Sequence, residues 1–258
     1  MDRKKLHIGI TGQSGFIGSH LAGHIRVSDR FELVPFEKRW FDADGELRHF
    51  AERCDVIVHL AGLSRHEDGD LLYRVNMSLT ERLAQAAASA ANAPGVCFGS
   101  TVQIDKMLPY HTSKRDGGAL LAARLSGRSA AVNMLMPNVF GPYSRPFYNS
   151  VVSTFCYLAA RGRTPETLSD VPLQLCYVGD LCCEILSIAG RAAGVPGAST
   201  VAIPHRYEER LPAVWEKLCS WSEFLPAASS AAGGKTAPRL DTRFDCDLWT
   251  TFQSYRPV

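Results

Sequence analysis

The chain has 258 residues, with 28 Lys and Arg against 26 Asp and Glu, a formal charge of +2 that gives no electrostatic footing for a nucleic-acid partner. No run of about 18 apolar residues and no secretory segment is present, so a cytoplasmic protein with no membrane partner is expected. The eight cysteines lack paired Cys-x-x-Cys spacing, which predicts reduced thiols and no metal site.

Leu6-His-Ile-Gly-Ile10 is a short apolar run, and Phe16-Ile-Gly-Ser-His-Leu-Ala-Gly-His-Ile25 continues with helical spacing, so strand, turn and helix are predicted in that order. Residues 31–36, 55–60 and 95–99 read as a second, third and fourth strand, with an Ala-rich helix over 78–91 before the last. A further helix holds Lys114 and residues 118–125, and the strand 130–136 follows it, closed by Pro137. Strands alternating with helices imply right-handed crossovers and an α/β fold: a Rossmann-type, doubly wound parallel sheet. Beyond Pro137 the pattern is less regular: helix over 149–160, strand over 173–178, helix over 180–193. The division expected is a dinucleotide-binding domain over 1–165 and a small C-terminal substrate-binding lobe over 166–258, with a low-complexity, flexible loop at 227–238.

The turn Thr11-Gly-Gln-Ser-Gly-Phe-Ile-Gly18 follows the first strand. Gly12 suits a tight exit from the strand, Gly15 lets backbone approach a pyrophosphate, and Gly18 allows close helix packing, so that phosphates would meet amide groups at the helix start around Phe16 and Ile17. A glycine triplet is a weak signal alone; its place between strand and helix makes it a dinucleotide site. After the second strand Glu37 offers a carboxylate for an adenosine ribose, while Lys38 and Arg39 offer cations for a 2′-phosphate. The expected cofactor is NADPH, with NAD as the alternative; a plain solvated charge cluster is the bland reading.

Thr101, Tyr110 and Lys114 form the candidate catalytic set. A phenol with a pKa near 10 is a poor acid at neutral pH unless a cation stabilises its phenolate. Lys114, four residues after Tyr110, lies on the same helical face and can do this while also holding a ribose. Thr101 would hydrogen-bond the substrate carbonyl. Each residue alone is equally well a half-buried aromatic, a surface cation or a strand-end hydroxyl; the joint spacing favours the catalytic reading. Asn76 is placed to bridge backbone to the Lys114 region, or else to cap a helix.

With these residues in hand, the chain resembles the extended short-chain dehydrogenase/reductases of the NAD-dependent epimerase/dehydratase superfamily, which act on nucleotide sugars. The likeness rests on the glycine turn at 11–18, His59-Leu-Ala-Gly62, Val75-Asn76, Gly99-Ser-Thr101, Tyr110-x-x-x-Lys114, Pro137-Asn-Val-Phe-Gly-Pro142 and Tyr177-Val-Gly-Asp180. Residues 135–156 and 248–257 look more narrowly like the reductase half of the capsule and O-antigen enzymes that reduce a UDP-2-acetamido-2,6-dideoxy-4-hexulose. There a cupin domain, linked with epimerisation beside the ketone, follows; a chain ending at Val258 is expected to retain the reduction alone.

The resemblance implies that Leu60, Ala61 and Gly62 touch the cofactor with Asn76, that Pro137 and Val139 line its nicotinamide, and that Arg65, Asn138, Arg145 and Asn149 meet the nucleotide-sugar substrate. This fold often dimerises through a pair of helices, so a homodimer is one of the oligomeric states left open. His111 departs from the family, standing where a glycine usually follows the tyrosine, and Tyr110 follows Thr101 by only nine positions, as in the reductase group. The function expected is NADPH-dependent reduction of the C4 ketone of a nucleotide-linked 4-keto-6-deoxy amino sugar. The alternatives are a C4 epimerase with tightly held NAD and a catalytically inactive dinucleotide-binding regulatory protein. A dehydratase is disfavoured because Val102 and Gln103, rather than an Asp-Glu pair, follow Thr101.

Overall fold

The computed structural model describes residues 4–224 and 238–256. The expected loop at 227–238 therefore lies, apart from Pro238, outside the described residues. Two compact units form: one from the residues up to Met136 together with Gly179–Ile203, the other from Pro137–Val178 together with the residues from Pro204 onward. The division thus falls at Met136 rather than at 165, and the chain returns to the first unit for one helix and one strand.

In the first unit, strand β1 (Leu6–Thr11) leads to helix α1 (Phe16–Arg26), then β2 (Phe31–Val34), α2 (Asp44–Glu52), β3 (Val56–His59), α3 (Gly69–Ser89), β4 (Gly95–Thr101), α4 (Pro109–Leu125) and β5 (Ala130–Met136). In the second, the elements up to Tyr177 are β6 (Asn138–Phe140), α5 (Val151–Ala159) and β7 (Pro172–Tyr177). Helix α6 (Val178–Ala192) and strand β8 (Gly197–Ala202) then complete the first unit's sheet, and β9 (Tyr207–Arg210), α7 (Leu211–Trp221) and α8 (Arg243–Gln253) complete the second unit.

The large sheet has six strands in the order β2-β1-β3-β4-β5-β8, every pair parallel. Its strands read as near-continuous apolar runs because helices cover both faces. Ile57, Val96 and Phe98 point to one face and share a core with Leu47 and Phe50 of α2, Leu83 and Ala87 of α3, and Leu121 and Leu125 of α4. Val56, Val58 and Cys97, equally buried, point the other way by the pleat of their strands. The reversal of strand order between β1 and β3 opens a crevice at the carboxyl ends of the strands, the usual ligand position in such a sheet.

Three elements of this unit escape the sequence pattern. Helix α3 begins at Gly69, well before the expected 78, because Asp68 caps it by accepting a hydrogen bond from Leu71 N (2.9 Å). Helix α2 follows a short 3-10 turn (Lys38–Asp42). Strand β8 is exposed along almost its whole length and so shows no buried-face alternation.

The second unit has a three-stranded sheet, β6 parallel to β7 and β7 antiparallel to β9. Phe140, Phe155, Trp221, Phe244, Trp249 and Phe252 dominate its core. Helix α8 starts with a capping box in which Thr242 Oγ1 accepts from Asp245 N (3.1 Å) and Asp245 accepts from Thr242 N (3.0 Å). Among the described residues no helix is long and apolar enough to cross a membrane.

Candidate active site

The glycine turn is built for close approach of backbone. Gly12 has φ +79°, a left-handed conformation, and a Cβ there would lie 2.8 Å from Ala61 N. A Cβ on Gly18 would lie 2.2 Å from Gly12 O, so α1 can leave the strand at this angle only with glycine there. Helix α1 starts with no side-chain cap and no acidic residue in its first turn. Its amino-terminal dipole is left uncompensated beside Phe16 and Ile17, which favours an anion. Gln13 Oε1 is buried here without a hydrogen-bond partner.

Across the crevice Leu60, Ala61 and Gly62 continue from β3. A Cβ on Gly62 would come within 3.0 Å of Asn76 Oδ1 and 3.8 Å of Lys114 Nζ, so these three residues are packed together. The Asn76 amide accepts from Leu63 N (2.7 Å) and donates to Leu63 O (2.9 Å) and Ser113 Oγ (3.0 Å). Ser113 in turn donates to the Tyr110 carbonyl (2.7 Å). Asn76 therefore spends its amide on protein, clamping the loop after β3 to the first turn of α4.

Tyr110 and Lys114 sit one turn apart on α4, opened by Pro109. Lys114 is 6% exposed, and its ammonium lies 4.7 Å from the centre of the Phe98 ring and 5.8 Å from that of Tyr110. Among the described residues no carboxylate stands within ion-pair distance of it. Loss of hydration therefore pulls its pKa down to about 8. Thr101 closes β4 at the carboxyl edge of the sheet, opposite Met136, and its hydroxyl accepts from Gln103 N (3.1 Å). The neighbouring Ser100 Oγ is buried without a partner. His111 packs edge-on against the Tyr110 ring at 5.3 Å, and burial, then Lys106, lowers its pKa; its Nδ1 is buried and unpartnered.

At the end of β2 the expected ribose corner is exposed. Arg39 Nε bonds the Glu37 carboxylate at 2.8 Å, so the acid and one of the two cations satisfy each other, while Lys38 is exposed beside them. Arg65 is exposed on the loop before α3. Pro137, Asn138, Val139, Arg145 and Asn149 all belong to the second unit. Asn138 and Arg145 are exposed there, and the Arg145 guanidinium lies 5.3 Å from the Tyr148 ring. The first unit thus gathers Gly12, Gly18, Ala61, Gly62, Asn76, Tyr110 and Lys114. Ser113 had no role in the sequence reading, although its place beside Lys114 was a usable signal. Among the described residues no group of three or more His, Cys, Asp or Glu side chains is gathered as a metal site would require.

The fold and this crevice define a nicotinamide-type Rossmann site, and comparison with known proteins agrees. Residues 8–201 match the NAD dependent epimerase/dehydratase family, and the chain belongs to that family. It is 27% identical to the UDP-2-acetamido-2,6-beta-L-arabino-hexul-4-ose reductase of Pseudomonas aeruginosa PA103, over 96% of this chain and 64% of that protein. The capsular polysaccharide assembling protein CapF of Staphylococcus aureus superposes with a TM-score of 0.73 at 27% identity, covering 98% of this chain and 65% of that one. The Bordetella bronchiseptica enzyme WbmF, solved in complex with NADH, shares the fold: TM-score 0.74, 17% identity, 97% and 91% covered. The chain spans less than two thirds of the length of the first two relatives, 64% and 65%.

Proposed function

We propose that the chain is an NADPH-dependent reductase of a nucleotide-linked 4-keto-6-deoxy amino sugar, with UDP the expected nucleotide. The observation that carries this reading is Lys114: a buried ammonium that has no carboxylate partner among the described residues and stands against the ring of Tyr110, the candidate acid. Such a charge is costly to keep in a folded protein and is retained where chemistry uses it. The 27% identity to a hexulose reductase over nearly the whole chain supports the substrate class.

The residues present fit a dinucleotide. The uncapped start of α1 and the turn at Gly12 would take the pyrophosphate, and Gly62 leaves room beside Lys114 for a ribose. Pro137 and Val139 are proposed, on the family resemblance alone, to meet the nicotinamide. When bound, the reduced nicotinamide supplies the hydride. Tyr110 gives its hydroxyl proton to the alkoxide that develops at C4, and Lys114 stabilises the phenolate left behind. Thr101 holds the carbonyl oxygen by a hydrogen bond, so that charge develops toward a fixed donor. Lys38 and Arg39 would meet a 2′-phosphate, which requires Arg39 to leave Glu37. Arg65, Asn138, Arg145 and Asn149 are proposed to bind the substrate.

The test is oxidation of NADPH in the presence of UDP- and dTDP-linked 4-keto-6-deoxy sugars, with product configuration read by NMR. Consumption of one NADPH per sugar reduced is expected. Interconversion of C4 epimers without net NADPH consumption would replace this reading with the epimerase.

A further inference from the structure

His59, in the His-Leu-Ala-Gly segment, takes no part in the chemistry above, yet it is wholly buried at the centre of the site's support. Its register partner in the sheet is Thr11, the last residue before Gly12. His59 Nδ1 lies 2.6 Å from Thr11 Oγ1 and Nε2 lies 3.3 Å from Thr80 Oγ1. Thr11 Oγ1 also accepts from Ala61 N (3.4 Å), and Thr80 donates to the carbonyl of Asn76 one turn earlier in α3 (2.9 Å).

The hydrogens of this buried chain can be counted. A proton on Nδ1 would donate to Thr11 and leave the Thr11 hydroxyl hydrogen with no acceptor among the described residues, in a site without exposure. A proton on Nε2 satisfies every group: Ala61 N–H donates to Thr11, Thr11 to Nδ1, Nε2–H to Thr80, and Thr80 to Asn76 O. The bonds then run in one direction from the cofactor loop to α3. A second route joins the same ring to the catalytic cation, since His59 stacks on Phe98 at 5.5 Å and Phe98 carries the Lys114 ammonium on its ring at 4.7 Å.

We propose that His59, held with its proton on Nε2, is a positioning residue that fixes the glycine turn at Thr11 against the Asn76 turn of α3 and, through Asn76, Ser113 and Phe98, sets the place of Lys114. Its ring stays uncharged because burial, and then the Lys114 charge, hold its pKa down at about 3. A charged ring here would repel Lys114 and lose its acceptor bond from Thr11.

The functional half of this inference rests on the reductase reading; the tautomer does not. Nitrogen-15 NMR of the full chain labelled at histidine is expected to show His59 as the Nε2–H form, unchanged between about pH 5 and pH 8. An Nδ1–H form, or titration near the ordinary value, would overturn the assignment. For the functional half, Thr80→Val removes the hydroxyl at nearly constant volume and Thr80→Ser keeps it. The valine variant is expected to lose roughly tenfold to a hundredfold in kcat on the keto-sugar, the scale of a misplaced catalytic group, and the serine variant to recover most of it. A valine variant that folds less stably yet turns over like the parent would reduce His59 to a structural role. If the parent reduces no keto-sugar, the reductase reading fails, and positioning is judged on NADPH affinity by fluorescence: weaker in valine and restored in serine supports it, unchanged in both refutes it.

Discussion

Two lysines, one in each unit, show how differently the same cation is used. Lys217 in α7 reaches Asp245 at 2.5 Å, and that carboxylate, 5% exposed, also takes backbone N–H bonds from Asp241 and Thr242 at the start of α8. Burial alone would raise the Asp245 pKa, but its bonds to Lys217 and Thr242 outweigh it and leave the pKa lowered. The carboxylate therefore adds stability above its unfolded pKa, near 3.9, and this is lost as pH falls through the lower folded value. Lys114 is more deeply buried and, among the described residues, has ring faces instead of a carboxylate. Its pKa falls from 10.5 to about 8, so folding is penalised below pH 8 and the penalty fades as pH rises from 8 to 10.5. One lysine holds a helix in place, and the other is kept at the expense of stability.

The comparison breaks most clearly at Lys114. Replacing it by Met should lower kcat by roughly 10²- to 10⁴-fold, the usual share of acid–base catalysis. In urea unfolding without cofactor the same variant should be more stable than the parent by up to about 3 kcal/mol at pH 7, with the gain shrinking toward pH 10. A loss of stability at pH 7 would show that the ammonium has a partner and that its burial is no penalty. Lys217→Met should do the reverse, costing about 2 kcal/mol because a buried carboxylate loses a charged hydrogen bond, with kcat within about twofold of the parent. A large kcat loss there would place the second unit's helix contact in the chemistry.

Gly12→Ala sharpens the contrast at the cofactor end. With φ +79° and a Cβ 2.8 Å from the Ala61 amide, it should cost roughly 1–2 kcal/mol of stability and weaken NADPH more than the keto-sugar, as read by fluorescence titration. Smallest is the exposed corner at β2: Lys38→Ala with Arg39→Ala should cut the preference for NADPH over NADH by about tenfold, the loss of charged contacts worth near 1.4 kcal/mol. An unchanged preference would move the 2′-phosphate contact elsewhere.

What was legible in the sequence follows from how local each signal is. The glycine turn and the four-residue step from Tyr110 to Lys114 are short-range patterns, and β1 to β5 advertise themselves as apolar runs between breakers. Strand β6 is three residues long and β8 is exposed, so neither carries a period to read. Helix α8 is different: Phe244, Leu248, Trp249 and Phe252 fall at helical spacing from within the Thr242 to Asp245 capping box onward, a helix signal that the sequence does carry. The Thr11, His59 and Thr80 chain was out of reach, because strand pairing and the packing of α3 join residues 48 and 21 positions apart. The burial of Lys114 likewise depends on Phe98 arriving from a neighbouring strand.

The central claim is that Tyr110 is the acid and Lys114 the cation that makes it one. The most direct measurement is single-turnover reduction of a UDP-4-keto-6-deoxy amino sugar by Tyr110→Phe with NADPH bound. The account predicts cofactor affinity like the parent's and a reduction rate lower by roughly 10²-fold or more; reduction at the parental rate would contradict it.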